Sequence, residues 1–358
     1  MIIKKIQTLF FILFVFFVKN VFAQDSGVQY VYDISEKIEL NKNYVYCPVI
    51  QSTWDQLKED IVNDSPIQMT FSYPLIDKLN QGLVKKEEIL DKDSAAYLVL
   101  GYKGEDISKT INIRNKEKFL DIPEYKKKFK DYDAVGYNVF YKKIEFYYNF
   151  YDLDEKYNFI GSKGEITKVS GFGIQNYSAN EDWKIVGQIK VLNYKDKDHF
   201  VVSIETLDKE SELILAKIDK RNSFKDLWLE CLHYIEKPKG DWFRKGNSII
   251  IPKIDILFEQ SFKEFENNAV KNENSEANGW FFSDFILNIY FNMMNEKKED
   301  TKKDNNFFLT QNIHMKNISE KIEKRDFIFN KPFLVVVKKK NSDWPYFMAW
   351  IDCLDSLK

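Results

Sequence analysis

The chain has 358 residues, 30% of them charged and 16% aromatic, with a formal net charge of −2. That near-balance gives no reason to expect nucleic acid or an acidic membrane as a partner. The length suits one large domain or two medium ones, and three cysteines are too few for a disulfide-built scaffold.

Met1–Ala23 begins with Lys4 and Lys5, runs apolar from Leu9 to Val18, and closes on Val21-Phe22-Ala23 before Gln24. A basic start, a hydrophobic middle and a small-residue cleavage site predict a secretory signal peptide over residues 1–23. The alternative is an uncleaved anchor, but the apolar run is shorter than the ~18–20 residues that span a bilayer. No Cys follows the cleavage site, so a lipid anchor is not expected. Cleavage removes Lys4, Lys5 and Lys19 and takes the net charge from −2 to −5. The mature protein is therefore expected to be exported, periplasmic or extracellular, with no membrane contact after cleavage.

Residues 24–43 are polar and predict a leader into the fold. Tyr44-Val45-Tyr46 then leads to Cys47-Pro48, and Pro48 suits the first turn of a helix. Ile50, Trp54, Leu57 and Ile61 recur at helical spacing and give that helix one buried face. Residues 66–130 are mixed, with a short buried strand at Tyr97–Leu100 and a solvated basic run at Lys126–Lys130. From Tyr137 to Phe150, alternating aromatic and β-branched residues predict strands. More strands are expected at Lys184–Leu192, His199–Glu205 and Glu212–Ile218, with Gly161, Gly164, Gly171 and Gly173 in turns. Phe224, Leu227, Trp228, Cys231 and Ile235 form a helical stripe. A strand is predicted at Ser248–Ile251 and a short helix at Ser261–Asn267. Asn268–Asn278 and Asn295–Asn306 have the composition of exposed loops, and Phe307–Met315 reads as a strand.

Near the end, Phe329–Val337 and Trp344–Ile351 are apolar without alternation and flank the charged turn Lys338–Asp343. A strand apolar on both sides is buried on both faces, so the chain ends inside its own core. No Pro/Gly/Ser linker divides the chain and no repeat of 20–50 residues is present. Helices first, then many strands, predict one α+β domain over residues 44–358.

Residues that carry chemistry are sparse. His199, His233 and His314 have no partner at metal-ligand spacing. Cys231 and His233 are two apart on a helix and point to different sides, and Cys231 lies on the apolar stripe. His199 falls in a charged turn, where a solvated imidazole is the default. There is no nucleophile elbow and no phosphate-cradling loop. Asp152, Asp154 and Glu155, or Glu181 and Asp182, would allow acid–base work on glycans, yet such pairs are common on charged loops. Trp183, Trp242, Trp280, Trp344 and Trp350 suit sugar stacking but sit beside strand residues and are expected in the core. No catalytic, cofactor-binding or metal-binding residue is assigned. Three cysteines allow at most one disulfide; Cys47 and Cys353 lie near opposite ends of the chain and could meet, which the sequence alone does not show.

Three segments carry a family resemblance. Asn43-Tyr-Val-Tyr-Cys-Pro-Val49 resembles the serpin segment that opens an early helix, with Cys47 where serpins carry Ser. Ile249-Ile-Ile-Pro-Lys-Ile-Asp-Ile256 followed by Ser261–Phe265 resembles the serpin strand ending Leu-Pro-Lys-Phe and its short helix. Phe329-Asn-Lys-Pro-Phe333 and the hairpin after it resemble the final serpin strands. The resemblance implies an α+β, serpin-like fold with a large central sheet, additional sheets and N-terminal helices. It also implies a place for a reactive loop, which in inhibitory serpins inserts into the sheet through a hinge of Gly, Thr and small alanines. Here the equivalent span is Asn317–Asp326, short, charged and without Gly or Ala. Ten extended residues reach at most ~35 Å, enough to join two strands but not to present a bait loop as well. The expectation is a secreted, non-catalytic, serpin-like binding protein with an unidentified protein partner and no protease-trapping activity. The alternatives are an exported carboxylate-dependent glycan hydrolase and an inhibitor with an atypical loop.

Overall fold

The computed structural model describes residues 27–84, 92, 94–100, 106–119, 122–128, 133–177, 182–238, 243–275, 277–296 and 324–355. The signal peptide expected at 1–23, the strand expected at 307–315, His314, Trp242 and Glu181 lie outside the described residues.

In chain order the elements are β1 (Val28–Val31), β2 (Asn43–Tyr46), α1 (Ile50–Val62), α2 (Pro74–Gln81), β3 (Ser94–Leu100), α3 (Ile107–Lys118) and β4 (Asp133–Lys143). Then come β5 (Tyr151–Asp152), β6 (Tyr157–Ile160), β7 (Ile166–Val169), β8 (Gly171–Ile174), α4 (Trp183–Gly187), β9 (Ile189–Asp196), β10 (His199–Ile204) and β11 (Ser211–Lys217). The remainder is α5 (Phe224–Glu236), β12 (Ser248–Pro252), β13 (Ile254–Ser261), β14 (Phe281–Met293), β15 (Asp326–Ile328), β16 (Phe333–Lys339) and β17 (Pro345–Ile351).

A seven-stranded sheet runs β1-β2-β17-β16-β11-β10-β9, antiparallel except for the parallel β1–β2 pair. Two four-stranded sheets run β13-β14-β4-β3 and β15-β12-β8-β5, and β6–β7 is a separate hairpin. The terminal hairpin is buried on both faces, as its composition requires. On one face Val335, Val337, Phe347, Ala349 and Ile351 pack into the main core with Phe140 and Phe291. Phe347 stacks on both of those rings, with centroids 4.8 and 4.7 Å away. On the other face Leu334, Val336, Met348 and Trp350 meet Phe224, Leu227, Trp228 and Cys231 of α5. Burying each such side chain contributes about 1.5–3 kcal/mol, so the hairpin ties two of the apolar clusters together.

Local signals explain the helices. α1 follows the turn at Pro48, buries Ile50, Trp54 and Leu57, and stops where Asn63 takes a left-handed conformation and donates its N–H to Lys58 O. α5 starts at Ser223, whose hydroxyl accepts from Asp226 N at 3.2 Å and donates to the Asp226 carboxylate at 2.9 Å.

Several expectations are corrected. The leader carries β1, which joins the large sheet and buries Val28 and Val31. The strand expected at Lys184–Leu192 is split: α4 forms one short helix, Gln188 binds both backbone groups of Tyr148, and β9 begins at Ile189. Gly171 and Gly173 lie in β8 rather than in turns; a Cβ on Gly173 would stand 1.9 Å from Ile249 O, so the close strand approach requires glycine. No helix follows Ser261, because β13 extends to that residue and Phe262–Asn268 forms successive tight turns. The loop expected at Asn268–Asn278 buries Asn268, Ala269, Val270 and Ala277, and Asn268 holds both backbone groups of Phe71. β14, the longest strand, has no counterpart among the expected elements. None of the three cysteines takes part in a disulfide. β2 and β17 pair antiparallel with Tyr46 opposite Met348, which puts Cys47 and Cys353 at opposite ends of the pair.

Candidate functional site

The candidate site is the frame around the connection from Met293 to Asp326. Between these residues the chain runs 32 residues, and most of the expected span Asn317–Asp326 lies outside the described residues. So does the strand expected before it at 307–315.

At the exit end, β14 stops and Asn295 turns the chain with φ 57°. Asparagine tolerates this backbone because its short polar side chain bonds locally. Buried Asn295 accepts from Phe150 N at 2.9 Å and donates to Phe150 O at 3.0 Å and Asp152 Oδ1 at 3.2 Å. Asn149 Nδ2 donates to Glu296 O at 3.3 Å, and Glu296 is ion-paired with Lys143. The chain thus leaves the sheet pinned to the segment before β5.

Beside this exit lies the seam between β4 and β14, parallel strands joined over eleven residue pairs with one irregularity between Phe282 and Asp284. Asn138 spans the seam from the core side, donating to Ile286 O at 2.9 Å and accepting from Thr53 of α1 at 2.6 Å. Gly136 is in contact with Phe285, which stacks on Phe265 at 4.2 Å. At the irregularity, the buried Asp284 carboxylate accepts from Ser261 at 2.5 Å, from Tyr125 at 3.1 Å, and from Lys127. Burial and the neighbouring Asp284 push the Tyr125 phenol well above its usual range. The segment Ile122–Lys128 is thereby strapped along α3, with Asn112 bound to both backbone groups of Tyr125.

At the return end, Arg325 accepts from Ser248 N and donates its own N–H to Asn247, while its guanidinium lies over Tyr194 and Phe327. β15 then pairs parallel with β12. Buried Lys217, the last residue of β11, holds the chain just beyond, donating to Ile328 O at 2.9 Å and Asn330 Oδ1 at 2.7 Å. A second buried lysine, Lys142 of β4, binds Asp208 at 2.6 Å, and Asp208 also binds Lys92 and Ser211. Burial pushes the Asp208 carboxyl up, but the bonds from Lys142, Lys92 and Ser211 outweigh it and hold the group far below the usual carboxylate range.

The residues weighed for chemistry do not converge. Asp152 is tied to Asn295 and Lys253, and Asp182 precedes α4 as a buried residue. His199 is not a solvated turn residue: its Nε2 lies 3.1 Å from Tyr234 Oη and 3.6 Å from Glu230. Cys231 is buried in the α5 contact, and burial pushes its thiol far up, away from reactivity. Burial also pushes the Cys47 thiol up, to about 12. Of the tryptophans expected in the core, Trp350 is buried, Trp183 and Trp280 are half-buried, and Trp344 is 41% exposed. Among the described residues no group of three or more His, Cys, Asp or Glu is placed to hold a metal ion. None of their helices is long and apolar enough to cross a membrane. Asn295, Asn138, Asp284 and Lys217 had no motif to single them out.

No family model matches the sequence, and no curated protein does. Solved structures do match. A serpin of Manduca sexta, serpin-12, is 13% identical with a TM-score of 0.53, over 88% of this chain and 94% of that one. The thermophilic serpin tengpin in its native state is 12% identical with a TM-score of 0.52, over 94% and 96%. Human thyroxine-binding globulin in complex with thyroxine is 11% identical with a TM-score of 0.53, over 87% and 92%. At such identities the likeness shows the fold: α+β, serpin-like, with a large mixed sheet, additional sheets and several helices.

Proposed function

We propose that this serpin-like chain is an exported, non-catalytic binding protein that does not trap proteases. The observation that carries the proposal is the chemistry of the chain leaving β14. A loop entering the seam as a new strand would bury alternate side chains. Over residues 297–304 one alternation buries Lys297, Glu299 and Lys303, and the other buries Lys298, Asp300, Lys302 and Asp304. Either costs several kcal/mol per unpaired ion. The connection from Met294 to Arg325 contains no Gly or Ala to serve as a small-residue hinge. The eleven-pair β4–β14 seam and the three bonds of Asn295 add to the cost of opening.

The mature protein is to be incubated with a panel of serine and cysteine proteases. Cleavage or no reaction is expected, and cleaved protein should melt no higher than intact protein. An SDS-stable covalent complex with any protease would overturn the proposal.

A further inference from the structure

We propose that Lys217 and Asn330 are joined by an intramolecular isopeptide bond, formed with Asp198 as the proton carrier. The three groups already meet at the end of β11. Lys217 is 3% exposed at its side chain, and its Nζ lies 2.7 Å from Asn330 Oδ1 and 2.9 Å from Asp198 Oδ1. An amine at hydrogen-bond distance from a carboxamide oxygen has the carboxamide carbon within roughly 3.5 Å, the separation of reacting atoms before attack.

The surroundings act on the ammonium in opposite senses: four oxygen acceptors and the Phe200 ring face stabilise it, and burial opposes it. Nζ stands 5.7 Å from the Phe200 ring centroid. Phe200 packs on Phe327 and Phe329, and Phe329 on Phe333, all fully buried. Burial pushes the Lys217 ammonium down, against the pull of Asp198. Two further acceptors, Lys197 O and Ile328 O at 2.9 Å, fix where Nζ sits.

Asn330 is presented, not loose. Its N–H donates to Ile328 O at 3.0 Å, and its C=O accepts from Ile160 N at 2.9 Å. The preceding carbonyl of Phe329 accepts from Tyr157 Oη at 3.1 Å. Asp198 is 40% exposed at its side chain and also pairs with Lys331 at 2.9 Å, so it faces both the amine and solvent.

The step balances. Lys217 gives one proton to Asp198, and its freed lone pair attacks Asn330 Cγ while the carbonyl π pair moves to Oδ1. Asp198 returns the proton to Nδ2, the Cγ–Nδ2 bond breaks, and the carbonyl reforms. Ammonia leaves toward solvent and takes up the proton lost from the new amide nitrogen. One ammonium and one carboxamide become one secondary amide and one ammonium ion, with no oxidant, reductant or co-reactant. The product ties β11 to the chain just past β15, whether or not the protein traps proteases.

The test is mass spectrometry of the purified mature protein, intact and after proteolysis in denaturant. The expected result is a loss of one ammonia and a branched peptide joining the segment of Lys217 to that of Asn330. Cyclisation of an N-terminal Gln24 also loses ammonia, so the branched peptide decides. Lys217→Arg and Asn330→Ala should abolish it, and Asp198→Ala should slow its formation by roughly a hundredfold or more. Unlinked Lys217 and Asn330 peptides from folded wild-type protein after prolonged incubation would overturn the proposal, as would an ammonia loss that maps only to the N-terminal peptide.

Discussion

Replacing Asn295 tests whether the exit from β14 is pinned. Its side chain makes three hydrogen bonds, two of them to the backbone of buried Phe150, and its own backbone is left-handed. Asn295→Ala removes the three bonds at about 1 kcal/mol each. It also places a Cβ without local bonding in left-handed backbone, at a cost of about 1 kcal/mol more. The expected loss is about 3–4 kcal/mol, a large share of the ~5–15 kcal/mol that holds a typical domain. Asn295→Gly loses the same bonds without the backbone strain and should recover about 1 kcal/mol. Equilibrium urea unfolding reads both as lower midpoints with unchanged slopes. A midpoint for Asn295→Ala within about 0.5 kcal/mol of wild type would refute the pin. Identical losses for Ala and Gly would refute the strain and leave only the hydrogen bonds.

Two further outcomes follow from the geometry. Because Asp208 is held below its unfolded value of ~3.9, its contribution is fully present above that pH and is lost as pH falls toward the folded value. Stability should therefore drop between about pH 4 and pH 2, and Asp208→Asn should flatten that slope in urea titrations across pH; an unchanged slope would count against the ion pair. Gly173→Ala should prevent folding or cost more than about 3 kcal/mol, since its Cβ meets Ile249 O at 1.9 Å. Gly164→Ala, at φ 85° in open space, should cost only about 1 kcal/mol. Equal effects in denaturation would contradict the strand approach.

What was legible in the sequence is what local periodicity encodes. The α1 and α5 stripes and the unalternating apolar run of β16 and β17 each name their own surroundings. β14 escaped notice because Ser283, Asp284, Asn288 and Asn292 interrupt its pattern, and Asp284 is there for a partner on a distant segment. Gly171 and Gly173 look like turn residues until the neighbouring β12 is known, because the clash they avoid is with Ile249 and Ile251, far away in sequence. The frame of the connection is equally non-local. Asn295 meets Phe150, and Lys217 meets Asn330, across more than a hundred residues. No spacing rule on a single segment brings such pairs together.

The place of β17 sets the order of events during synthesis. Val45, made early, has Ala349 as its strand partner, and β16 needs the same strand on its other edge. Until β17 emerges, β1 and β2 have no route into the sheet. Pairings this remote carry a high loop-closure entropy and slow folding. The nascent chain is therefore expected to keep β1 and β2 outside this sheet until synthesis has passed Ile351, leaving these early strands open to chaperones meanwhile.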